Sequence, residues 1–193
     1  MQRRKILMAA ATIITTLTLS GTPVWAAPTN IEIFGTTLKG AKRDQLREVF
    51  KQGGMAATRE DSSYWVDIYN SSNVLDGTTQ FEVGYAMQTN EFAYAKYTFP
   101  GAMNTGLVKD VIDMVTSKYG QPSQQSGQYR LGTVTATWNV GQNMKIEVFR
   151  GWPNTTTFLS FIDVASKKAM QAEMDANDKQ IREQKAAAQS NAF

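Results

Sequence analysis

Hydrophobic residues recur with helical spacing in two separate segments of the chain. In residues 42–52, Leu46, Val49 and Phe50 stand at positions i, i+3 and i+4, and two glycines follow. The segment 105–119 has the same character and ends at a glycine and a proline. Its apolar positions are Leu107, Val108, Val111, Ile112 and Val115. The spacing predicts an amphipathic helix over each segment.

Alternating apolar and polar positions, which are typical of strands, surround and follow these helices. A short strand is predicted within 29–38, before the first helix. After the first helix, the pattern predicts strands at 64–69, 80–88 and 91–99. After the second helix, it predicts strands at 128–132, 133–139, 143–150 and 155–163. Helix followed by antiparallel strands therefore occurs twice.

A shift of 66 residues aligns the two parts of the chain. It pairs Gly35 with Gly101, Gly40 with Gly106, Leu46 with Ile112, Val49 with Val115, and Gly54 with Gly120. The matched glycines and helix-face positions favour a tandem duplication, with repeats at about 31–99 and 100–163. Two unrelated α+β halves are the alternative that the sequence leaves open.

The last segment, residues 164–193, is a polar helical tail. Residues 166–190 are rich in Ala, Gln, Lys, Asp and Glu and contain neither Gly nor Pro, so they favour a helix. Met170, Met174 and Ile181 form only a thin apolar stripe, and we expect the tail to be dispensable for folding. The predicted fold class is therefore α+β: tandem helix-plus-antiparallel-strand units form an antiparallel sheet packed by helices, with a C-terminal helix.

The first 26 residues have the three parts of a secretory signal peptide. Residues 3–5 are basic, residues 6–19 are almost uncharged and mostly apolar, and Val24 and Ala26 are small residues at a cleavage site. We expect cleavage after Ala26, a globular domain over 27–163, and a periplasmic or secreted protein without a stable membrane span. An uncleaved membrane anchor is the alternative.

The composition of the chain excludes several kinds of partner, metal site and catalytic group. The chain has 20 Lys+Arg and 17 Asp+Glu, and cleavage would remove three basic residues, which leaves a net charge of zero. No basic stripe remains, so we expect no nucleic-acid partner. The chain has no Cys and no His, which excludes disulfides, Cys/His zinc sites and catalysis by Ser-His-Asp or Cys-His groups. No cofactor or metal site is predicted.

The order of elements and the glycine-terminated helices resemble two groups of small exported bacterial proteins. These are the β-lactamase-inhibitor-protein-like fold and the outer-membrane lipoprotein module of the SmpA/OmlA type, and the resemblance covers roughly residues 31–163. The disulfides of the first group and the lipidated cysteine of the second are absent here. The resemblance implies a protein that binds other proteins across a sheet face.

Acidic residues are the only candidates for catalysis. Asp110 and Asp113 stand at i, i+3 in the first turns of the second predicted helix. The positive end of the helix dipole also favours acidic residues there, whether or not they have a function. Asp67 lies in a predicted strand, either facing solvent or paired with a cation. A carboxylate-dependent hydrolase is therefore an alternative function, and no catalytic residue is assigned.

Aromatic side chains give the stronger functional signal. In the predicted strand 91–99, one face carries Ala93, Ala95, Tyr97 and Phe99. If that face packs under a helix, alternation turns the residues between them outward, where they can contact a protein partner. The predicted partner-binding residues are Phe92, Tyr94, Lys96, Phe149 and, in a loop, Trp152. A second layer, such as the tail helix, is the alternative cover for this face. The predicted function is an exported, non-catalytic protein-binding module, or, as a subclass, an inhibitor or immunity factor for an extracytoplasmic hydrolase.

Overall fold

Three helices and two antiparallel sheets are formed by residues 28–141 and 143–190, which the computed structural model describes. The helices are α1 (Arg43–Gln52), α2 (Leu107–Tyr119) and α3 (Val164–Ser190). The short strands β1 (Glu32–Ile33) and β2 (Thr36–Thr37) pair with each other. The large sheet contains β3 (Ala56–Arg59), β4 (Val66–Asn70), β5 (Gln80–Ala86), β6 (Glu91–Phe99), β7 (Gln124–Gln128), β8 (Leu131–Val140), β9 (Met144–Arg150) and β10 (Thr157–Asp163).

The strand order of the large sheet is β3-β4-β5-β6-β10-β9-β8-β7, and every neighbouring pair is antiparallel. Each of α1 and α2 precedes four strands that run in sequence order, and the two sets of strands join where β6 pairs with β10. The predicted α+β class, antiparallel sheet and C-terminal helix are confirmed. The tandem origin of the two sets stays a prediction.

Two strands differ from the prediction. β3 was not predicted, and β7 begins four residues before the predicted strand 128–132. Neither has buried apolar residues: β3 is exposed or half-buried and β7 is exposed throughout. Both are edge strands, which bury little and therefore lack the alternation that identifies the inner strands.

The face of the large sheet that carries α1 and α2, here called the inner face, holds the main core. Its centre is aromatic: the ring of Phe50 in α1 meets Tyr69 and Phe81 edge-on, with centroids 5.4 and 5.2 Å apart. Phe81 in turn lies 4.3 Å from Tyr97. Each such pair adds about 0.5–1.5 kcal/mol beyond the area it buries, so these rings stabilise the packing of α1 on the sheet.

The tail helix α3 packs on the opposite, outer face. Its first turn is capped by Asp163, whose Oδ1 accepts hydrogen bonds from the backbone N–H groups of Ala165 (3.0 Å) and Ser166 (3.1 Å). Met170 is only 4% exposed and packs with Ala86 and Ala93 in a second apolar cluster. The thin apolar stripe thus reaches the sheet at Met170, and whether the tail is dispensable for folding stays a prediction.

Glu173 fastens this part of α3 to the turn between β5 and β6. Its carboxylate accepts hydrogen bonds from the backbone N–H groups of Met87 (2.7 Å) and Gln88 (3.2 Å) and from Trp65 Nε1 (3.3 Å). Residues 178–190, by contrast, are exposed along their whole length. The helix is thus half docked and half projecting.

Length alone does not make α3 a membrane segment. It has 27 residues but is polar, and within the described part of the chain no helix combines the length and apolarity needed to span a bilayer. The predicted signal peptide, 1–26, lies outside the described residues.

Candidate protein-binding face

On the outer face, α3 packs on β5 and β6 and reaches β10, whereas β9 and β8 lie beside it. The pairing registers place the outward side chains of β6, β10, β9 and β8 in two adjacent rows. One row runs Lys96, Ser160, Glu147, Thr137, and the other runs Thr98, Phe158, Phe149, Thr135. We call these eight residues the open face.

Two aromatic rings stand at the centre of the open face. Phe149 and Phe158 are directly opposite each other on β9 and β10, and Phe149 is 37% exposed. The ammonium of Lys96 lies 5.4 Å from the centroid of the Phe158 ring. Aromatic side chains such as these are enriched at protein–protein interfaces.

Charges of both signs border the rings. Lys96 Nζ is 2.7 Å from Glu82 Oε2 across β5 and β6, and Lys145 Nζ is 2.8 Å from Glu147 Oε2 along β9. All four side chains are between 20% and 31% exposed. The sheet and the two ion pairs hold these four charged side chains in place, so the outer face presents positive and negative groups next to each other.

Phe92 does not belong to this face, which corrects the sequence prediction. The pairing of β5 with β6 shifts between Gly84–Tyr94 and Tyr85–Phe92, so Ala93 is an extra residue in a β-bulge. Phe92 is consequently 0% exposed in the inner core, while Ala93 lies under α3. Alternation predicted the orientation of Phe92 wrongly because a bulge reverses it.

Tyr94 lies at the boundary between the open face and α3. Its ring rests on the backbone of Gly84: a Cβ at that position would come within 2.2 Å of the ring and 3.0 Å of Met170 Sδ. Burial raises the pKa of Tyr94 to about 12. The tail helix therefore covers Tyr94 in part, as the sequence-based alternative held. The half-buried Lys96 lines a groove with Lys167 and Met170 of α3, whereas Phe149 remains exposed.

Trp152 lies in the loop between β9 and β10 and is 45% exposed. Its ring centroid is 5.9 Å from the guanidinium carbon of the buried Arg150. That guanidinium donates to the carbonyl oxygens of Thr105, Gln128, Tyr129 and Gly132. Trp152 therefore stands at the end of the sheet beside β8, not among the rows of the open face.

Two of the candidate acids, Asp67 and Asp113, are paired with cations. Asp67 is fully buried on the inner face and bound by Arg43 and Arg47, and Asp113 forms an ion pair with Lys109. Across residues 28–141 and 143–190, no cluster of three or more acidic side chains is placed to hold a metal ion. The structure brings Lys96 and Phe149 onto one surface and leaves the acids apart.

Comparisons with known proteins identify no family for this chain. No protein-family model matches the chain, and no curated protein matches it. Among solved structures, the chain is similar to the crystal structure of YjgB, a DUF4309 family protein from Bacillus subtilis subsp. subtilis str. 168. The identity is 11%, the TM-score is 0.43, and the match covers 69% of this chain and 87% of that one. A likeness of this degree carries no conclusion about function.

Proposed function

We propose that this chain is an exported, periplasmic or secreted protein that binds another protein through the open face and catalyses no reaction. The observation that carries the proposal is the adjacent pair of Phe158 and Phe149, of which Phe149 is exposed, bordered by Lys96 and Glu147. The tail helix α3 packs mainly on β5 and β6, and Phe149 on β9 lies beyond it.

The physical properties of the open face suit binding to a protein. Because its side chains stand on a sheet, little conformational freedom is lost when a partner docks. Exposed aromatic anchors are where binding energy concentrates, at about 2 kcal/mol or more for a hot-spot residue. The alternating charges would select a partner of complementary pattern and guide its approach.

Export is supported by the sequence. Residues 1–26 contain the basic, apolar and small-residue parts of a signal peptide in the expected order. N-terminal sequencing of the protein from an exporting host tests this directly. A mature chain that begins at Ala27 supports export, and one that begins at Met1 contradicts it.

We further propose that the two sets of four strands arose by duplication. Moved by 66 residues, β3 to β6 fall at 122–125, 132–136, 146–152 and 157–165, and each range overlaps the corresponding strand β7 to β10. The glycines that end α1 and α2 both have positive φ, 86° at Gly54 and 78° at Gly120. A superposition of 31–99 on 100–163 that favoured another offset would contradict this.

The test of binding is site-specific photocrosslinking in the exporting host. A crosslinking amino acid at position 149 should capture a discrete partner, whereas the same amino acid at the 90% exposed Met103, in the loop before α2, should not. Capture at both positions, or at neither, would contradict the proposal. If the partner is a hydrolase that loses activity when bound, the inhibitor subclass is supported.

A further inference from the structure

A groove of about 280 Å³ lies between α3 and the large sheet on the outer face. Its α3 side carries Lys167, Met170 and Met174, and its sheet side carries Val66 of β4 and Tyr94 and Lys96 of β6. Lys96 also belongs to the open face, so the groove and the proposed binding surface meet at this side chain. A partner on the open face can therefore reach into the groove.

Both charged side chains in the lining of the groove are lysines. Lys96 already has a carboxylate, since its Nζ lies 2.7 Å from Glu82 Oε2. Lys167 forms no ion pair with any side chain of residues 28–141 and 143–190. Its Nζ lies 5.2 Å from the centroid of the Tyr94 ring, and a ring face is a weaker partner for an ammonium than a carboxylate is. The charge that a partner can neutralise in this groove is therefore positive.

The surroundings of Lys167 favour an added negative charge. Partial burial lowers the pKa of Lys167, and repulsion from Lys145 and Lys96 adds to this, while Glu147 opposes it. Glu147 is shared with Lys145, whose Nζ is 2.8 Å from its Oε2. Lys167 nevertheless remains exposed to solvent. A carboxylate of a partner can reach it there and would offset the repulsion from the other two lysines.

The rest of the groove is mostly apolar and can adapt its shape. Val66, Tyr94 and Met174 are half-buried, and Met170 is buried. Methionine has three rotatable bonds and a polarizable sulfur, so two methionines can adjust to side chains of different shape. The groove therefore combines an apolar floor with a cation at its edge.

We propose that the groove binds an acidic segment of the protein partner, in which an Asp or Glu side chain stands beside an apolar one. The carboxylate would lie at Lys167, and the apolar side chain would pack between Tyr94 and the two methionines. The volume equals about nine waters' share of liquid at ~30 Å³ each, which is room for roughly two side chains. That the segment belongs to the partner rests on the proposed function.

A protein segment suits the charges of this face better than an anionic membrane does. Glu82 and Glu147 are 20% and 30% exposed beside the lysines with which they pair. A membrane surface would bring many anionic headgroups against these two carboxylates. A peptide, by contrast, can place a single carboxylate at Lys167 and leave them apart.

The test follows the isotope-labelled methionine methyl groups of the full chain by NMR while short peptides are added. The probe is acetyl-Leu-Glu-Leu-amide, and the control is acetyl-Leu-Gln-Leu-amide, which lacks only the charge. The acidic peptide should shift the signals of Met170 and Met174, but not that of the 90% exposed Met103, with a dissociation constant on the order of 1 mM. The Gln peptide should bind about fivefold more weakly. Equal binding of the two peptides, or no shift at Met170 and Met174, would overturn the proposal.

Substitutions of two adjacent lysines locate the contact. Lys167→Gln should weaken binding of the acidic peptide about fivefold and leave the Gln peptide unaffected, because only the charge pair is lost. Lys168→Gln should change neither, since Lys168 is exposed on the same helix but lies outside the groove lining. Thermal melts check folding, and Lys167→Met replaces Lys167→Gln if the latter does not fold. Equal effects of the substitutions at the two lysines would contradict the site.

Vesicles of phosphatidylglycerol are the second probe. They should leave the methyl signals of Met170 and Met174 unchanged, because the carboxylates of the outer face disfavour an anionic surface. If the vesicles shift these signals and the acidic peptide does not, the groove is a membrane contact and the proposal is wrong.

Crosslinking in the exporting host distinguishes failure of this proposal from failure of the proposed function. A photocrosslinking amino acid in place of Gln171, in the groove lining, should capture the same partner as position 149, and the attached partner peptide should carry Asp or Glu beside an apolar residue. Capture at position 149 with no acidic peptide attached at position 171 would overturn the groove proposal and leave the open face as the binding surface. Binding of the acidic peptide without capture at position 149 would contradict the proposed function, while the preference of the groove for a carboxylate would stand.

Discussion

The two halves of the sheet bury arginine in different ways and are covered differently. In the first half, residues 31–99, Arg43 and Asp67 are 1% and 0% exposed, and α3 covers part of the outer face. In the second half, residues 100–163, Arg150 is 0% exposed without a carboxylate among its hydrogen-bond partners, and the outer face is open. The halves therefore depend on different interactions for their stability.

Asp67 is the centre of the first arrangement. Its two oxygens accept hydrogen bonds from Arg43, at 2.6 and 3.1 Å, and from Arg47, at 2.8 and 2.9 Å. Arg43 also donates to the carbonyl oxygens of Tyr64 and Asp61, which ties the loop before β4 to α1. One acid thus compensates two arginines, and the first half contains a titratable group in its core.

Arg150 has backbone carbonyl dipoles in place of an acid around its two terminal nitrogens, while its buried Nε has no hydrogen-bond partner among the described residues. Its Nη1 and Nη2 atoms donate to four carbonyl oxygens at 2.6 to 3.2 Å. Carbonyls do not titrate, so this half should respond less to pH. We therefore expect the contributions to the free energy of unfolding that depend on pH and on α3 to come mainly from the first half. The second half provides the exposed part of the outer face.

The largest expected effect is that of Asp67→Ala. Removing the acid leaves Arg43 buried without its counter-ion, and breaking a buried pair in this way costs about 3–5 kcal/mol. Urea unfolding should show the midpoint fall accordingly. Asp76→Ala, at an exposed acid in the same half, is the control and should change little. Equal effects of the two substitutions would show that the ion pair contributes no more than a surface charge.

Removal of α3 should have the next largest effect. A chain that ends at Ala165 loses the buried Met170 and the hydrogen bonds of Glu173, and we expect a loss of about 2–4 kcal/mol. At this size that lowers the melting temperature by about 10 °C. A chain that ends at Asn177 keeps both contacts and should melt within about 2 °C of the full chain. If both truncations melted alike, the docking of α3 would be energetically irrelevant.

Local patterns predicted most of the elements but not their contacts. The bounds of β6 and the C-terminal end of α2 were predicted correctly, because alternation and a terminal glycine are local signals. The bulge at Ala93 was not, because it arises from the pairing with β5, and nothing within residues 91–99 marks it. One extra residue moved Phe92 from the predicted site into the core.

Long-range partnerships were missed for the same reason. The pairing of Asp67 with Arg43 joins positions 24 residues apart, and that of Glu173 with Met87 joins positions 86 apart. The sequence left open that Asp67 is paired with a cross-strand cation, but its partners Arg43 and Arg47 belong to α1. Glu173 was only an acid in a polar helix. The stripe of Met170 and Met174 was visible, but its burial depends on the small residues Gly84, Ala86 and Ala93 across the sheet.

Lowering the pH should destabilise the first half of the sheet by less than the Asp67→Ala substitution or the removal of α3. Burial alone would raise the pKa of Asp67, but hydrogen bonds and positive charge from Arg47 and Arg43 outweigh it, so the pKa lies below its usual value. Stability from this group is therefore present above about pH 4 and is lost as pH falls through the lowered pKa.

Urea unfolding at a series of pH values measures this contribution. We expect the wild-type chain to lose about 1–3 kcal/mol more than Asp67→Asn between pH 5 and pH 2. If Asp67→Asn does not fold, Arg47→Met serves as the variant, since it removes one of the two cations. Parallel pH profiles for the variant and the wild type would contradict the assignment.

The smallest effect on stability, and the sharpest contrast between the halves, is expected from Phe149→Ala. Phe149 is 37% exposed in the open half and faces Phe158 across the strands, so its removal should lower the free energy of unfolding by only about 1 kcal/mol. Tyr94→Ala, in the covered half, removes a ring that packs between Gly84 and Met170 and should cost several times more.

Binding should show the opposite order for these two variants. Loss of an anchor worth about 2 kcal/mol weakens a complex roughly thirtyfold, and we expect that for Phe149→Ala with the captured partner. Tyr94 lies mostly under α3, so Tyr94→Ala should reduce affinity less than it reduces stability. Affinity is measured with purified partner and each folded variant. If Phe149→Ala bound the partner as tightly as the wild type, the open face would not be the binding surface, however exposed its rings are.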